Sequence, residues 1–300
     1  GWGWERSEAL ALYGIYTGLV YITPIFGGLI ADKFLGYRNA VILGAFVMTL
    51  GHASMAFEVL DNLFLYLGLI FLIIGNGFFK PNISSIVGQL YKTEGQDKDS
   101  GYTIFYMGIN SGAFLGILLC GYIGENIGWH YGFSLAGVFM FLGMLQFYYA
   151  QKIFGQIGVF ENDIYSGKQI NNSSETNKKN SSRIVYDRLT VIVIFSFCVI
   201  FFWWAFEQAG GSMTIFASDY TDRILEGSSA IVFKIFNSLI TIVPMIIISY
   251  ITYLLCLNIF SFYKISSIFL ISSFIIIWLI IIWMLTREFS NPSTEVPASW

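Results

Sequence analysis

The chain has 300 residues, 56% of them hydrophobic and only 12% charged, and carries a formal net charge of −3. With a mean hydropathy of +0.67 this excludes an ordinary soluble domain and defines an all-α polytopic membrane protein. Net charge says little about partners in such a chain, and no feature points to nucleic acid; the informative quantity is where the basic residues fall.

A stretch of about 20 apolar residues crosses the hydrocarbon core. Eight spans are expected, near 9–31, 39–58, 63–90, 101–124, 131–153, 189–217, 231–256 and 265–286. Lys33 and Arg38, then Lys92 and Lys98, then Lys152, Lys168, Lys178, Lys179, Arg183 and Arg188 fall in alternate loops, while Glu58, Asp61 and Glu125 occupy the loops between. The positive-inside rule places the basic loops in the cytoplasm and the amino end outside. There is no initiator methionine or cleavable signal peptide, and the chain closes on Pro297-Ala298-Ser299-Trp300, so it reads as a fragment cut at both ends.

The loop after the first span, Gly28-Leu29-Ile30-Ala31-Asp32-Lys33-Phe34-Leu35-Gly36-Tyr37-Arg38, suits a tight turn whose charges pair with neighbouring helix ends. It resembles the cytoplasmic signature of the major facilitator superfamily, which makes Gly28, Asp32, Lys33, Gly36 and Arg38 a candidate gate motif.

The third span holds Gly75-Asn76-Gly77-Phe78-Phe79-Lys80-Pro81-Asn82, with a lysine inside an apolar run. An ammonium at the centre of a spanning helix costs about 2.5–3.5 kcal/mol, so Lys80 is expected to face a water-filled cavity or an acidic partner. The alternative is a side chain that snorkels to the inner interface. Pro81 and the glycines fit a cavity-lining segment, because freed backbone groups at membrane depth need protein or water to satisfy them.

In the fourth span Gly108, Gly112 and Gly116 recur at intervals of four, a ridge of small residues suited to helix packing. Asn110 lies near that ridge, and Tyr102 and Tyr106 share a face. A buried amide needs partners from protein, water or ligand, and the pattern alone leaves packing and ligand roles for Asn110 open. The stretch 154–188, with Asn171-Asn172-Ser173-Ser174 and Asn180-Ser181-Ser182 among lysines, reads as a flexible cytoplasmic linker. A cytoplasmic face would not expose its Asn-x-Ser sequons to glycosylation.

The sixth span contains the second intramembrane charge, Glu207, in Phe201-Phe202-Trp203-Trp204-Ala205-Phe206-Glu207-Gln208. Poor solvation among aromatic rings makes it a candidate proton carrier, against the alternative of a permanent ion pair. The last two spans have no charge at their centres and are expected to face lipid in a peripheral role. Cys120, Cys198 and Cys256 are far apart and read as packing residues, and His52 and His130 as structural histidines.

Three further stretches are more specific: Gly75 to Ser84; Phe105-Tyr106-Met107-Gly108-Ile109-Asn110-Ser111-Gly112; and Trp204-Ala205-Phe206-Glu207-Gln208-Ala209-Gly210. Together they resemble the proton-dependent oligopeptide transporter family of the major facilitator superfamily, in order through 8–150 and 200–223. The resemblance implies a partial major facilitator fold with about eight helices visible. It divides the chain into an amino-terminal bundle at 1–153 (the family's second to sixth helices), the linker at 154–188, the seventh helix at 189–223, an inserted hairpin at 224–290 and the start of the eighth helix at 291–300. The family's first helix, with its Glu-x-x-Glu-Arg motif, and the acidic residue of its tenth are then absent; Glu5-Arg6 lies in the outer loop before the second helix.

The resemblance implies a symporter that imports di- and tripeptides across the cytoplasmic membrane, of a bacterial inner membrane, working as a monomer with protons as the coupling ion and no cofactor or metal. Lys80 would bind the peptide carboxylate or exchange ion pairs, Asn110 would hold the peptide backbone or amino end, Tyr21, Tyr106 and Trp204 would line the cavity, and Glu207 would be protonated. Gly14 stands near where mammalian members carry a histidine, so coupling through that histidine is not expected. Three rivals are a superfamily carrier of nitrate or an organic acid, a membrane enzyme using Lys80, Glu207 and His52, and a non-transporting scaffold or sensor. No metal spacing, nucleophile elbow or phosphate loop supports an enzyme.

Overall fold

The computed structural model describes residues 4–91, 95–159 and 178–296, with side chains from 186 in the last range. Lys92, residues 160–177 of the expected linker with the Asn171–Ser174 run, and Pro297 to Trp300 lie outside the described residues, while 178–188, expected as linker, is already helical. Eight described helices are long and apolar enough to cross a membrane.

Helix α1 (Arg6–Ile30) opens on a reciprocal capping box between Glu5 and Glu8 and runs into a π-helical turn at Ala31–Leu35, which ends at Gly36 with φ 71°. That left-handed backbone favours glycine. α2 is Tyr37–Ala56, and α3 (Asn62–Gln89) is capped by Asp61, which accepts the Leu63 N–H at 2.7 Å. Helices in lipid associate through close backbone approach and polar contacts rather than by hydrophobic force. Accordingly, a Cβ at Gly27 would lie 2.0 Å from the Gly77 carbonyl oxygen, and one at Gly44 would lie 2.6 Å from that of Gly75. Thr23 Oγ1 donates to the Ile73 carbonyl and Asn76 Nδ2 to the Val20 carbonyl, each at 3.0 Å, tying α1 to α3. α3 stays helical through Pro81, whose missing N–H frees the Gly77 carbonyl, the group that faces Gly27.

The fourth span is composite: α4 (Gln96–Gly116), a π-turn at Ile117–Gly121 and α5 (Tyr122–Asn126). A Cβ at Gly108, Gly112 or Gly116 would meet nothing within 4 Å, so the ridge expected to pack faces open space among the described residues. α4 meets α3 lower down, where Tyr91 covers Gly101 and the Tyr102 hydroxyl donates to the Ser84 carbonyl at 3.4 Å. α6 (Trp129–Ala150) lies against α2, with Gly137 close to His52.

The span expected at 189–217 lies within Tyr186–Tyr220, one of the eight, and a turn interrupts its α-helix. α7 (Lys178–Phe206) gives way to a 3₁₀ turn at Glu207–Gly210, and α8 (Ser212–Tyr220) follows. Adjacent Gly210 and Gly211 explain the break, since each costs about 1 kcal/mol of helix propensity relative to alanine. Glu207 therefore starts a turn instead of sitting mid-helix.

α9 (Gly227–Ile259) and α10 (Lys264–Ser290) form a hairpin whose ends meet in a two-residue antiparallel ribbon, β1 (Ile224–Leu225) with β2 (Thr294–Glu295). The hairpin was expected to face lipid, and it does keep many exposed apolar side chains. It also buries Met245, Ile277 and Ile281 with Leu119, against Leu135 and Phe139 of α6.

Candidate functional site

One face of α1, with Leu10, Tyr13, Gly14, Thr17, Gly18 and Tyr21 at helical spacing, walls a cavity of about 610 Å³. Val199, Ile200, Trp203, Trp204 and Glu207 form the facing wall from α7 and its 3₁₀ turn. The Tyr13 hydroxyl donates to Glu207 Oε2 at 2.8 Å, and the Tyr21 hydroxyl lies 3.4 Å from Oε1 as a second, longer donor. The Tyr21 ring lies 5.6 Å from that of Trp203, and Lys80 Nζ sits 4.8 Å from the Tyr21 centroid.

Lys80, Tyr21 and Glu207 thus form a row in which an aromatic ring separates cation from carboxylate. A ring face attracts an ammonium through its quadrupole. The same side chain offers its hydroxyl to the carboxylate, so Tyr21 couples two charges that do not pair directly. Ion pairs join Arg6 to Asp219 and Arg223 to Glu295, away from this row.

The structure brings Tyr21, Lys80, Trp204 and Glu207 together. It does not bring Tyr106 or Asn110 to this cavity: both are exposed on α4, where the Asn110 amide donates to the Tyr106 carbonyl at 3.0 Å. In the candidate gate, Asp32 and Lys33 are exposed in the π-turn, and a Cβ at Gly28 would only touch Pro81. Arg38 caps a neighbouring segment, donating to the Gly155 carbonyl at 2.7 Å and to that of Ile157, with Phe154 under its guanidinium at 5.7 Å.

Two features escaped the sequence reading. Tyr13 precedes Tyr21 by two helical turns on one face, a spacing that could have paired them. Arg6, assigned to the outer loop, is the first residue of α1, and its guanidinium reaches both oxygens of Asp219 on α8. His52 is partly buried, with Nδ1 unpartnered among the described residues, and it touches α6 rather than the cavity. The His130 ring packs on Tyr131 at 4.1 Å. Among the described residues no cluster of three or more His, Cys, Asp or Glu is placed to hold a metal, and the three cysteines are free.

Long apolar helices enclosing a groove with charges at membrane depth define a multi-pass membrane protein, and its architecture is that of the major facilitator superfamily. Residues 38–183 match the model described as POT family. The peptide transporter YePEPT of Yersinia enterocolitica subsp. palearctica serotype O:3 (strain YE-P4) is 32% identical over 284 residues, covering 76% of this chain and 55% of that protein. A di-/tripeptide transporter of Lactococcus lactis subsp. cremoris is 34% identical over 203 residues, covering 67% of this chain and 39% of that protein. The crystal structure of a mutant of the peptide transporter POT in complex with alafosfalin superposes with a TM-score of 0.52 at 36% identity, covering 65% of this chain and 39% of that one. The chain belongs to the POT family, and it spans about half the length of the curated relatives it matches.

Proposed function

We propose that the full-length protein is a proton-coupled symporter that imports di- and tripeptides across a bacterial cytoplasmic membrane by alternating access, as a monomer and without enzymatic activity. One observation carries the reading: Glu207 receives hydroxyl donors from Tyr13 and Tyr21 of α1, with the Lys80 ammonium on the far side of the Tyr21 ring. The named peptide transporters among its relatives support the cargo.

The chemistry follows from donor counting. An ionised carboxylate only accepts hydrogen bonds, whereas a protonated one also donates. The two tyrosines offer one donor to each Glu207 oxygen, so a proton arriving there turns one acceptor into a donor and weakens the longer contact, that of Tyr21. Displacing Tyr21 removes the ring from Lys80 and frees the ammonium to take a peptide carboxylate. Trp203 and Trp204 present aromatic surface that tolerates varied side chains, while charges fix the common ends of the peptide. Asn110 would join the site when the second bundle closes over α4. A substrate can drive such closure only by binding the two conformations with different free energies, and midplane sites between repeats are the general rule for transporters.

The test is uptake of a labelled dipeptide into proteoliposomes holding the full-length protein, with and without an inward proton gradient. Gradient-driven uptake that Glu207→Gln and Lys80→Ala each abolish is expected. A folded protein that moves nitrate or an organic acid, and no dipeptide, would overturn the cargo.

A further inference from the structure

α9 and α10 meet through a stripe that sequence order hides. Ala230, Lys234, Asn237, Thr241 and Met245 are the buried positions of the first half of α9, and Ile277, Ile281, Met284 and Glu288 those of the second half of α10. Asn237 Nδ2 donates to both Glu288 oxygens at 3.3 Å, and Lys234, 3% exposed, donates to the carbonyl of Asn291, which closes α10. Interhelical polar contacts of this kind hold membrane helices together. Toward the other end the two helices part around an apolar groove of about 410 Å³.

The hairpin's partner lies elsewhere in the chain. At one end the Arg287 guanidinium reaches the Asn126 carbonyl at 3.5 Å, and Trp283 meets Tyr122 edge-on at 6.3 Å. At mid-depth Ile277 and Ile281 pack with Leu119 and the α6 residues Leu135 and Phe139. At the opposite end Phe269 stacks on Tyr149 of α6 at 5.8 Å. The hairpin therefore follows α7 in sequence, yet its second helix, α10, meets the first bundle at both ends and at mid-depth. The ribbon closes the hairpin's own base, where Arg223 also meets the Val296 carbonyl and the Glu295 carboxylate, each at 2.9 Å, and 221–223 carries the chain from α8 into that base.

We propose that the α9–α10 hairpin is a strap that moves as one body with α6, leaving 221–223 to absorb the displacement between the bundles. The inference rests on the alternating-access reading above. Interhelical packing through the depth of a membrane holds α10 on α6, and the short connection 221–223 has no such packing to hold it to the base among the described residues. Separation of the two sides therefore loads that connection before it strips the hairpin from α6.

The test is pulsed electron–electron distance measurement on the full-length protein in nanodiscs, at acidic and neutral pH, with Cys120, Cys198 and Cys256 replaced by alanine. Spin labels at Tyr149→Cys and Phe269→Cys report hairpin against α6; labels at Val193→Cys and Phe269→Cys report hairpin against α7. The expected result is one short, unchanging distance for the first pair and a shift of several ångströms, or a second population, for the other. A second pair, Phe139→Cys with Ile275→Cys, replaces the first if that variant does not fold. A hairpin–α6 distance that shifts, or is long throughout, overturns the proposal, and so does a pair of distances that never change. No transported peptide is needed, so failure of dipeptide uptake beside the expected distances would remove the cargo and leave the strap.

Discussion

The Tyr13 hydroxyl donates to Glu207 Oε2 at 2.8 Å, joining α1 to the turn that interrupts the aromatic helix. A hydrogen bond to a charged group is worth about 1.5–3 kcal/mol. Tyr13→Phe should therefore lower proton-driven dipeptide uptake roughly tenfold or more, on the scale of about 1.4 kcal/mol per factor of ten. It should also displace the pH profile of uptake, which loss of packing alone would not do. Tyr21→Phe should displace the profile less, since its contact with Glu207 is 3.4 Å. Gly210→Ala should copy Tyr13→Phe, because the added Cβ would lie 2.5 Å from the Tyr13 oxygen.

Arg6 and Asp219 link the first residue of α1 to α8, with Nη2 to Oδ1 at 2.9 Å. The arginine side chain is 68% exposed, so the pair is open to water and salt. Arg6→Glu or Asp219→Arg alone should slow uptake by opposing closure of this end, and the two together should restore it. High salt should narrow the difference between native protein and either single variant. Uptake in proteoliposomes at low and high ionic strength measures both effects, and a swapped double no better than the singles would assign the contact no part in closure.

The spans were legible because a bilayer demands length and apolarity, and both are summed along the sequence. Lys80 and Glu207 stood out for the same reason, as charges set in apolar runs. The break at Glu207 did not, because hydropathy averages over Gly210 and Gly211 while helix propensity charges them locally. Tyr13 was hidden by its ordinariness: a tyrosine in a span is unremarkable until its hydroxyl is seen to meet a carboxylate 194 residues away. The Asn237–Glu288 contact joins positions 51 apart, with no local pattern to announce it. Tyr106 and Asn110, whose roles were read from a motif, are exposed on α4 and do not line the cavity among the described residues.

Glu58 lies in the turn between α2 and α3, 7% exposed, and its Oε2 has no hydrogen-bond partner among the described residues. Burial pushes its carboxyl above the ordinary value of 4.5. The folded state then holds the proton more tightly than the unfolded chain does. Its contribution to stability is complete below the ordinary value and is lost as pH rises through the raised one. Glu58→Gln should therefore raise the thermal midpoint at neutral pH, by the equivalent of about 1 kcal/mol for an unsatisfied buried group. The gain should fade in acid. Thermal unfolding in detergent across pH checks this, and a constant offset at every pH would assign the effect to packing.

Glycines offer the sharpest contrast between pattern and contact. Gly108, Gly112 and Gly116 form the more regular series, yet a Cβ at any of them meets nothing within 4 Å. Gly27 belongs to no such series, and its Cβ would lie 2.0 Å from the oxygen and 2.4 Å from the carbon of the Gly77 carbonyl. Backbone atoms cannot rotate away as a side chain can, so α1 and α3 would have to separate. Separation would also stretch the Thr23–Ile73 and Asn76–Val20 hydrogen bonds, each 3.0 Å long. Gly27→Ala should cost about 1–3 kcal/mol or more, the range for overpacking a tight interface. Gly108→Ala should stay within about 0.5 kcal/mol of native, as a substitution clear of packed contacts does. Thermal midpoints of the two full-length variants make the comparison. A Gly108→Ala loss as large as that of Gly27→Ala would mean that the ridge on α4 meets another helix in the full-length protein, and that its spacing was a packing signal after all.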